Sequence, residues 1–286
     1  MAISPISVII ATKNHLKHTS LPRLKKKMAS TTFLSLSVHA SFAVFLFLVA
    51  GLYQDRLKAR EPKPTKTQAA LSPPASKFES IFDGKTLNGW EAFPSGSDNS
   101  WQAANGIITA TGGKMRSHLT YAGNKQLSDL ELKFSYRFPG KGNSGVSIRA
   151  IPDPSKKRSF QSYHADLGHA GIGKQVLGAW DFHTPGRNEH RCFRGDRLVI
   201  DSNDRPQITS IKNGLQREDI RRGEWNDVHI IARDNHFMLF INGKLASEFI
   251  EHLPEEKRLN RGMLQLQLHD PDMVVQFKNI FLKTLD

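Results

Sequence analysis

The sequence predicts an all-β domain, a β-sandwich or jelly roll, set behind a hydrophobic N-terminal segment and a Pro-rich linker. Three observations carry this. Leu130-Glu131-Leu132-Lys133-Phe134-Ser135-Tyr136-Arg137-Phe138 alternates apolar and polar side chains, the period-2 signature of a strand with one buried face. Asn242-Gly243 stands between the strand-like runs His236 to Ile241 and Lys244-Leu245-Ala246, and this dipeptide is a strong two-residue hairpin signal. No long segment has helical periodicity, so many strands follow one another with few helices between them, which favours a sandwich over alternating α/β.

In chain order, residues 1–32 are a basic tail without periodicity, carrying Lys25-Lys26-Lys27 near its end. Residues 33–53 follow, with the unbroken apolar core Phe42 to Ala50. At ~1.5 Å per residue this segment reaches about 31 Å, the thickness of a hydrocarbon core, as a transmembrane anchor requires. Its short apolar core suits a signal peptide equally well, with Val49-Ala50-Gly51 offering small residues for cleavage. Anchor and signal peptide both stay open. Either way the basic flank predicts a cytoplasmic N-terminus and an exported remainder, in the periplasm or cell envelope, with membrane contact through this segment if it is uncleaved. Residues 54–77, with Pro62-Lys63-Pro64 and Pro73-Pro74, lack the apolar residues needed to fold and read as a semi-extended linker. Residues 78–286 form the β domain, with further strands at Val228 to Ala232, Met263 to His269 and Met273 to Lys283.

Composition bounds the function. Of 286 residues 38 % are hydrophobic and 23 % charged, which argues against wholesale disorder and against a multi-span membrane protein. The net charge is +13, but 12 basic and 2 acidic residues lie at or before Lys77, leaving 28 basic and 25 acidic in the body. The domain is nearly neutral, so no nucleic-acid partner is expected. One cysteine, Cys192, excludes an intramolecular disulfide, a Cys-based zinc finger and a CxxC motif, and reads as a bland, partly buried residue.

Alternation also sorts the polar residues, because every second residue of a strand shares a face. In Met263 to His269 the leucines enter the core, so Gln265, Gln267 and His269 point the other way. Ser147 and Arg149 oppose Val146 and Ile148; His164 shares a face with Asp166, and Asp181 with His183. If these four polar faces coincide on one curved sheet, they make a groove fit for a carbohydrate. Trp180 opposes Asp181 and His183, and is read either as a core residue or as a stacking platform for a sugar. Between His164 and His190 lie His164, Asp166, His169, Asp181, His183, Glu189 and His190, a set able to hold a divalent metal, although no familiar metal motif is present. Hydrogen-bonding or acid/base roles are preferred for them, and the metal stays unknown. Trp90, Trp101 and Trp225 are expected in the core, and Arg217 to Arg222 in a solvated loop or short helix.

A family resemblance joins these segments. Ile81-Phe82-Asp83-Gly84-Lys85-Thr86-Leu87-Asn88-Gly89-Trp90 resembles the LFDGKTLxGW opening of the 3-keto-disaccharide hydrolase family. Asn143 to Arg149 is similar to its NSGVxxR strand, Tyr163 to Gly168 to its YQADIG, and Leu177 to Asp181 to its GxLYD. Glu224-Trp225-Asn226, Ile241-Asn242-Gly243 and Leu266-Gln267-Leu268-His269 match xWN, xNG and LQxH, in the family's order over about residues 78 to 286. The resemblance implies a concanavalin A-like jelly-roll β-sandwich, often exported and often used on carbohydrate. The chain departs from the pattern at His164, where the family has Gln, at Phe182, where an acid often stands, and at Asp270, where glycine is usual; all three are expected to touch the groove.

The ExDxxE carboxylate spacing of glycoside-hydrolysing sandwiches is missing. A 3-keto sugar offers another route: the ketone acidifies the proton on C2, a base removes it, the C1 substituent leaves, and water adds back. That chemistry needs a base, a stabiliser for the enolate oxygen and a proton donor. The candidates are Asp166 or His164 as base, Arg149 or a metal as stabiliser, and His269 or His183 as donor. Gln267, Gln265, Asp181, Trp180 and Ser147 are the candidate substrate-binding residues. The alternative from another class is a non-catalytic, lectin-like carbohydrate-binding module of the cell envelope.

Overall fold

Strands with apolar residues at alternate positions bury that shared face by stacking sheet on sheet. The computed structural model describes residues 77–168 and 175–285; the tail, the hydrophobic segment, nearly all of the linker and His169 lie outside the described residues. Those residues hold β1 (Glu79–Ser80), β2 (Trp90–Phe93), β3 (Trp101–Ala104), β4 (Ile107–Thr111), β5 (Ser117–Tyr121), β6 (Leu130–Arg137), β7 (Ser144–Pro152) and β8 (Phe160–Gly168). The chain continues through β9 (Trp180–His183), β10 (Asp196–Ile200), β11 (Pro206–Ser210), β12 (Asn226–Arg233), β13 (His236–Ile241), β14 (Lys244–Glu251), β15 (Met263–Leu268) and β16 (Val274–Thr284). Only short 3-10 turns accompany them among the described residues, one of them at Arg217–Asp219 as the charge pattern suggested.

One sheet runs β11-β10-β14-β13-β12-β6-β16-β4-β3, with β1 added on β16; the other runs β2-β5-β15-β7-β8-β9. The result is an all-β sandwich. The hairpin predicted at Asn242-Gly243 joins β13 to β14, with φ of 51° and 77° at its two central residues, the left-handed pair that a tight turn between twisted strands requires. In β15 the leucines at 264, 266 and 268 are fully buried. Each contributes roughly 1.5–3 kcal/mol, and a one-residue slip would exchange them for Gln265 and Gln267, so register is strongly fixed.

Trp90 and Trp101 are core residues; their indole N–H groups donate to the Ile81 carbonyl at 2.8 Å and to Ser117 Oγ at 2.8 Å. Trp225 departs from expectation. It is half-buried on the outer face of the larger sheet, with the Arg137 guanidinium at 4.6 Å and the Lys278 ammonium at 4.1 Å from its ring, where cation–π contact substitutes for core burial. Cys192 is fully buried rather than partly so, and burial pushes its thiol up to about 12.

The smaller sheet is strongly curled. Strands β5 and β8 are separated by β15 and β7, yet the His118 and Phe160 rings lie 5.7 Å apart and Phe93 meets Phe160 at 4.8 Å. Residues on the outer face of this sheet therefore look at one another across a narrow concavity.

Candidate functional site

Strand pairing assembles the site. Glu91, Thr120, Gln265, Ser147, His164 and Asp181 stand directly opposite one another in turn, one polar row crossing all six strands from β2 to β9. A parallel row brings together Phe93, His118 and Gln267, and Gly145 faces Asp166. Ser162 faces His183. Alternation places all of these opposite the core leucines and valines, so Gln265, Gln267, Ser147, His164, Asp166, Asp181 and His183 do share one sheet face.

Local glycine makes room at its centre. A Cβ on Gly145 would lie 2.1 Å from His164 Nε2, so only glycine lets the imidazole lie flat over β7. His164 stacks on His183, centroids 4.8 Å apart and rings 16° from parallel. Ser147 Oγ is 3.0 Å from His164 Nδ1, Ser162 Oγ is 3.2 Å from Ser147 Oγ and 3.5 Å from His183 Nδ1, and His183 Nε2 is 2.9 Å from Asp181 Oδ2. Nothing among the described residues pairs with His164 Nε2.

The electrostatics follow from burial. His164 is held well below the usual imidazole range, first by burial, then by the charge of His183, and further by His118 and His269, with Asp181 opposing. Burial, with His183 and His269, lowers His118 to about 4. Asp166 goes the other way: burial, reinforced by Asp181 and only partly offset by the Gly168 N–H donating to Oδ1 at 2.9 Å, raises it to about 8. For Asp181 burial alone would raise the carboxyl, but the hydrogen bond and charge of His183 outweigh it and hold it at about 2. The floor at neutral pH is thus a neutral imidazole beside a neutral carboxylic acid, with an ionised carboxylate at the rim.

The amides complete the floor. Gln265 Nε2 donates to Thr120 Oγ1 at 3.1 Å while its buried Oε1 has no partner, and the Gln267 side chain makes no hydrogen bond among the described residues. At the end of β15, Asp270 Oδ1 lies 2.6 Å from His269 Nδ1, so the residue that replaces the usual glycine orients the histidine.

Three expectations are corrected. Arg149 does not share the face of Ser147. It adopts φ 50° where the β7–β8 register breaks between Ile148 and Ile151, which turns the side chain inward. There it donates to the carbonyls of Ser128, Asp234 and Leu259, pairs with Asp129 at 3.0 Å and lies over Phe237. Trp180 is a core residue, 2 % exposed and edge-on to Phe237 and Phe249, so it offers no platform to a sugar in the groove. Phe182 likewise packs on Tyr163 and Phe249 inside the sandwich and does not touch the groove.

The histidine-rich stretch does not converge. His190 pairs with Asp204 at 2.7 Å and Glu189 with Arg158 at 3.6 Å, away from His164 and His183. Among the described residues no three His, Cys, Asp or Glu side chains are arranged to hold a metal ion. Sequence reasoning overlooked His118, Thr120 and Ser162; Ser117 to Tyr121 does alternate around Leu119, but so short a run gave no reason to link it with distant segments.

Among solved structures, a protein of Parabacteroides distasonis ATCC 8503 provisionally assigned as a glycosyl hydrolase is 18 % identical with a TM-score of 0.49, over 73 % of this chain and 94 % of that one. The carbohydrate binding module CBM66 from Bacillus subtilis is 12 % identical with a TM-score of 0.41, over 68 % of this chain and 96 % of that one. No curated protein matches. The model of the 3-keto-alpha-glucoside-1,2-lyase-like domain matches residues 77–283, which is most of the chain, and the protein belongs to that family.

Proposed function

We propose that this is an exported carbohydrate-active protein of the periplasm or cell envelope, with a concanavalin A-like jelly roll, that cleaves 3-keto-glycosides by abstracting the C2 proton. The observation that carries the reading is His164: a neutral imidazole on a polar floor, its Nδ1 engaged by Ser147 and its Nε2 without a partner among the described residues. An imidazole in that state is a base at neutral pH. Asp166, held up at about 8, takes a different role from the base first considered for it. As a neutral acid it donates a hydrogen bond to the developing C3 oxyanion, the pattern by which a protonated carboxyl in an apolar site stabilises an enolate. The free Gln267 amide is the second donor, and Gln265 Oε1 accepts from a sugar hydroxyl.

The placement of Arg149 in the core favours a second reading. No described cationic Arg or Lys side chain from these strands faces the floor row, and a lectin-like module that recognises sugar hydroxyls through Gln265, Gln267 and Asp181 needs none.

The deciding experiment incubates the full-length chain with a chromogenic 3-keto-glucoside and its unoxidised parent, each with and without chelator. Release from the keto sugar alone, lost in His164→Ala, supports proton abstraction, and chelator sensitivity reports on a metal. Binding of the parent glucoside without release from either compound supports the module. N-terminal sequencing of the exported protein shows whether residues 33–53 are removed.

A further inference from the structure

The two stacked histidines are joined through two buried hydroxyls into a single hydrogen-bonded chain, His164–Ser147–Ser162–His183–Asp181, with links of 3.0, 3.2, 3.5 and 2.9 Å. Hydroxyl hydrogens rotate, so such a chain has two polarities. In one, His164 Nδ1–H donates to Ser147, Ser147 to Ser162, Ser162 to His183 Nδ1, and His183 Nε2–H to the Asp181 carboxylate. His164 Nε2 then holds a free lone pair. In the other, His183 donates from both nitrogens, to Asp181 and to Ser162; Ser162 donates to Ser147, Ser147 to His164 Nδ1, and His164 Nε2 carries a hydrogen. The second form holds one proton more than the first. Its positive charge sits on His183 beside Asp181.

We propose that Ser147 and Ser162 are relay residues that let His164 Nε2 act first as base and then as acid while the charge of the captured proton is stored on the His183–Asp181 pair. The physical need is plain, because His164 is too buried, and too close to other imidazoles, to hold the charge itself. The groups that act on it are His183 and Asp181 from β9, His118 from β5 and His269 after β15, with Arg158 acting on Asp181; Asp166 stands two residues further along its own strand. His164 stands where the motif it resembles has Gln, whose amide does not titrate near neutral pH, so the relay is this chain's own.

The proton balance closes. Nε2 takes the C2 proton, and the C–H electron pair forms the C2–C3 enolate. The enolate collapses to re-form the C3 ketone and a C1–C2 double bond as the C1–O bond breaks. The leaving oxygen takes the hydrogen from Nε2, returning the chain to its first polarity. The substrate for this step rests on the 3-keto-glycoside reading; the relay itself does not.

The test follows the histidine tautomers by nitrogen NMR on the full-length chain labelled in its histidine rings. At pH 7 His164 is expected to carry its hydrogen on Nδ1 and His183 on Nε2. As pH falls, protonation of His183 and the switch of His164 to Nε2–H should share one midpoint. Ser162→Ala should separate the two events and lower kcat on a 3-keto-glucoside by about 10- to 100-fold with KM little changed, and Ser162→Thr should restore both. Ser147→Ala gives the same separation from the other side. A hydrogen on His164 Nε2 at pH 7, or a shared midpoint that survives in Ser162→Ala, overturns the relay, and the first needs no variant to fold. Coupled switching in a protein that leaves 3-keto-glucosides intact upholds the relay and removes the proposed reaction; cleavage without coupled switching does the reverse.

Discussion

Asp166→Asn should change how stability depends on pH. The Asp166 carboxyl is buried on β8 and titrates at about 8 in the folded chain, against an ordinary aspartate value of 3.8. Between these two values the folded state keeps the proton and the unfolded state releases it, so rising pH pulls the equilibrium toward unfolding. The stability this group contributes is complete below pH 4 and lost as pH climbs through about 8. Each pH unit in that window costs about 1.4 kcal/mol, so the wild type should lose roughly 3 kcal/mol relative to Asp166→Asn between pH 5 and pH 7. Asparagine retains the shape and still accepts from the Gly168 N–H, and the histidines are common to both proteins, so their titrations largely cancel in the difference. The assay is urea unfolding followed by tryptophan fluorescence at pH 5, 6 and 7 on both proteins. Parallel stability curves would refute the protonated-carboxyl assignment, and with it the use of Asp166 as a donor to an oxyanion.

Three other substitutions or treatments test separate parts of the structure. His118, lowered to about 4 by burial, binds fewer protons folded than unfolded below 6.5, so the wild type should lose stability as pH falls from 6.5 to 4; His118→Asn should flatten that acid limb in the same assay. Arg149→Met removes a buried guanidinium that ties Asp129 and three carbonyls together and should cost about 3–5 kcal/mol in denaturant titration. Its kcat per folded molecule should be unchanged, and a selective loss of kcat would return Arg149 to the groove. Cys192 should resist maleimide at pH 8 until urea unfolds the chain, as read by mass spectrometry; rapid labelling of the native protein would contradict its burial.

Much of this arrangement was legible from alternation alone, and the misreadings have separate physical causes. Period-2 reasoning holds wherever a strand is regular: it placed Gln265 and Gln267 opposite the core leucines, and His164 and Asp166 opposite Tyr163 and Ala165. It fails where an extra residue shifts the phase. Arg149 sits at such a bulge, and the shift moves it from the polar face to the space between the sheets. For Phe182 alternation in fact favoured the core, since it follows Asp181, yet motif position suggested the groove; the strand's phase decided the matter. His118 illustrates a different limit. Its strand is five residues long, and what brings it to the other histidines is the curl of a whole sheet, a property no local window contains. Trp225 was misassigned because size alone suggested burial, while Arg137 and Lys278 supply a stable alternative at the surface.

The charge pattern of the groove narrows what it can accept. Deep in the floor, burial neutralises both kinds of titratable group, driving the imidazole of His164 below and the carboxyl of Asp166 above neutral pH. Asp181 remains ionised because its own exposure and the contact with His183 compensate it. An anionic ligand would meet a carboxylate at the rim and no described Arg or Lys side chain in the floor row. A cationic one would leave water for a floor neutral at its centre; Glu91 at the far end of the row is already paired with Lys125 at 2.6 Å, and exposed Asp181 offsets the loss poorly. An uncharged polyol meets neither penalty, since unpartnered amide atoms of Gln265 and Gln267 exchange hydrogen bonds with its hydroxyls at little net cost. The same neutrality suits the proposed proton abstraction from a ketone, because in the proposed relay charge develops only where it can be moved outward, to Asp181 and His183. In the proposed reading, neutral-sugar recognition and a base at His164 thus share one physical origin in the burial of a polar strand row.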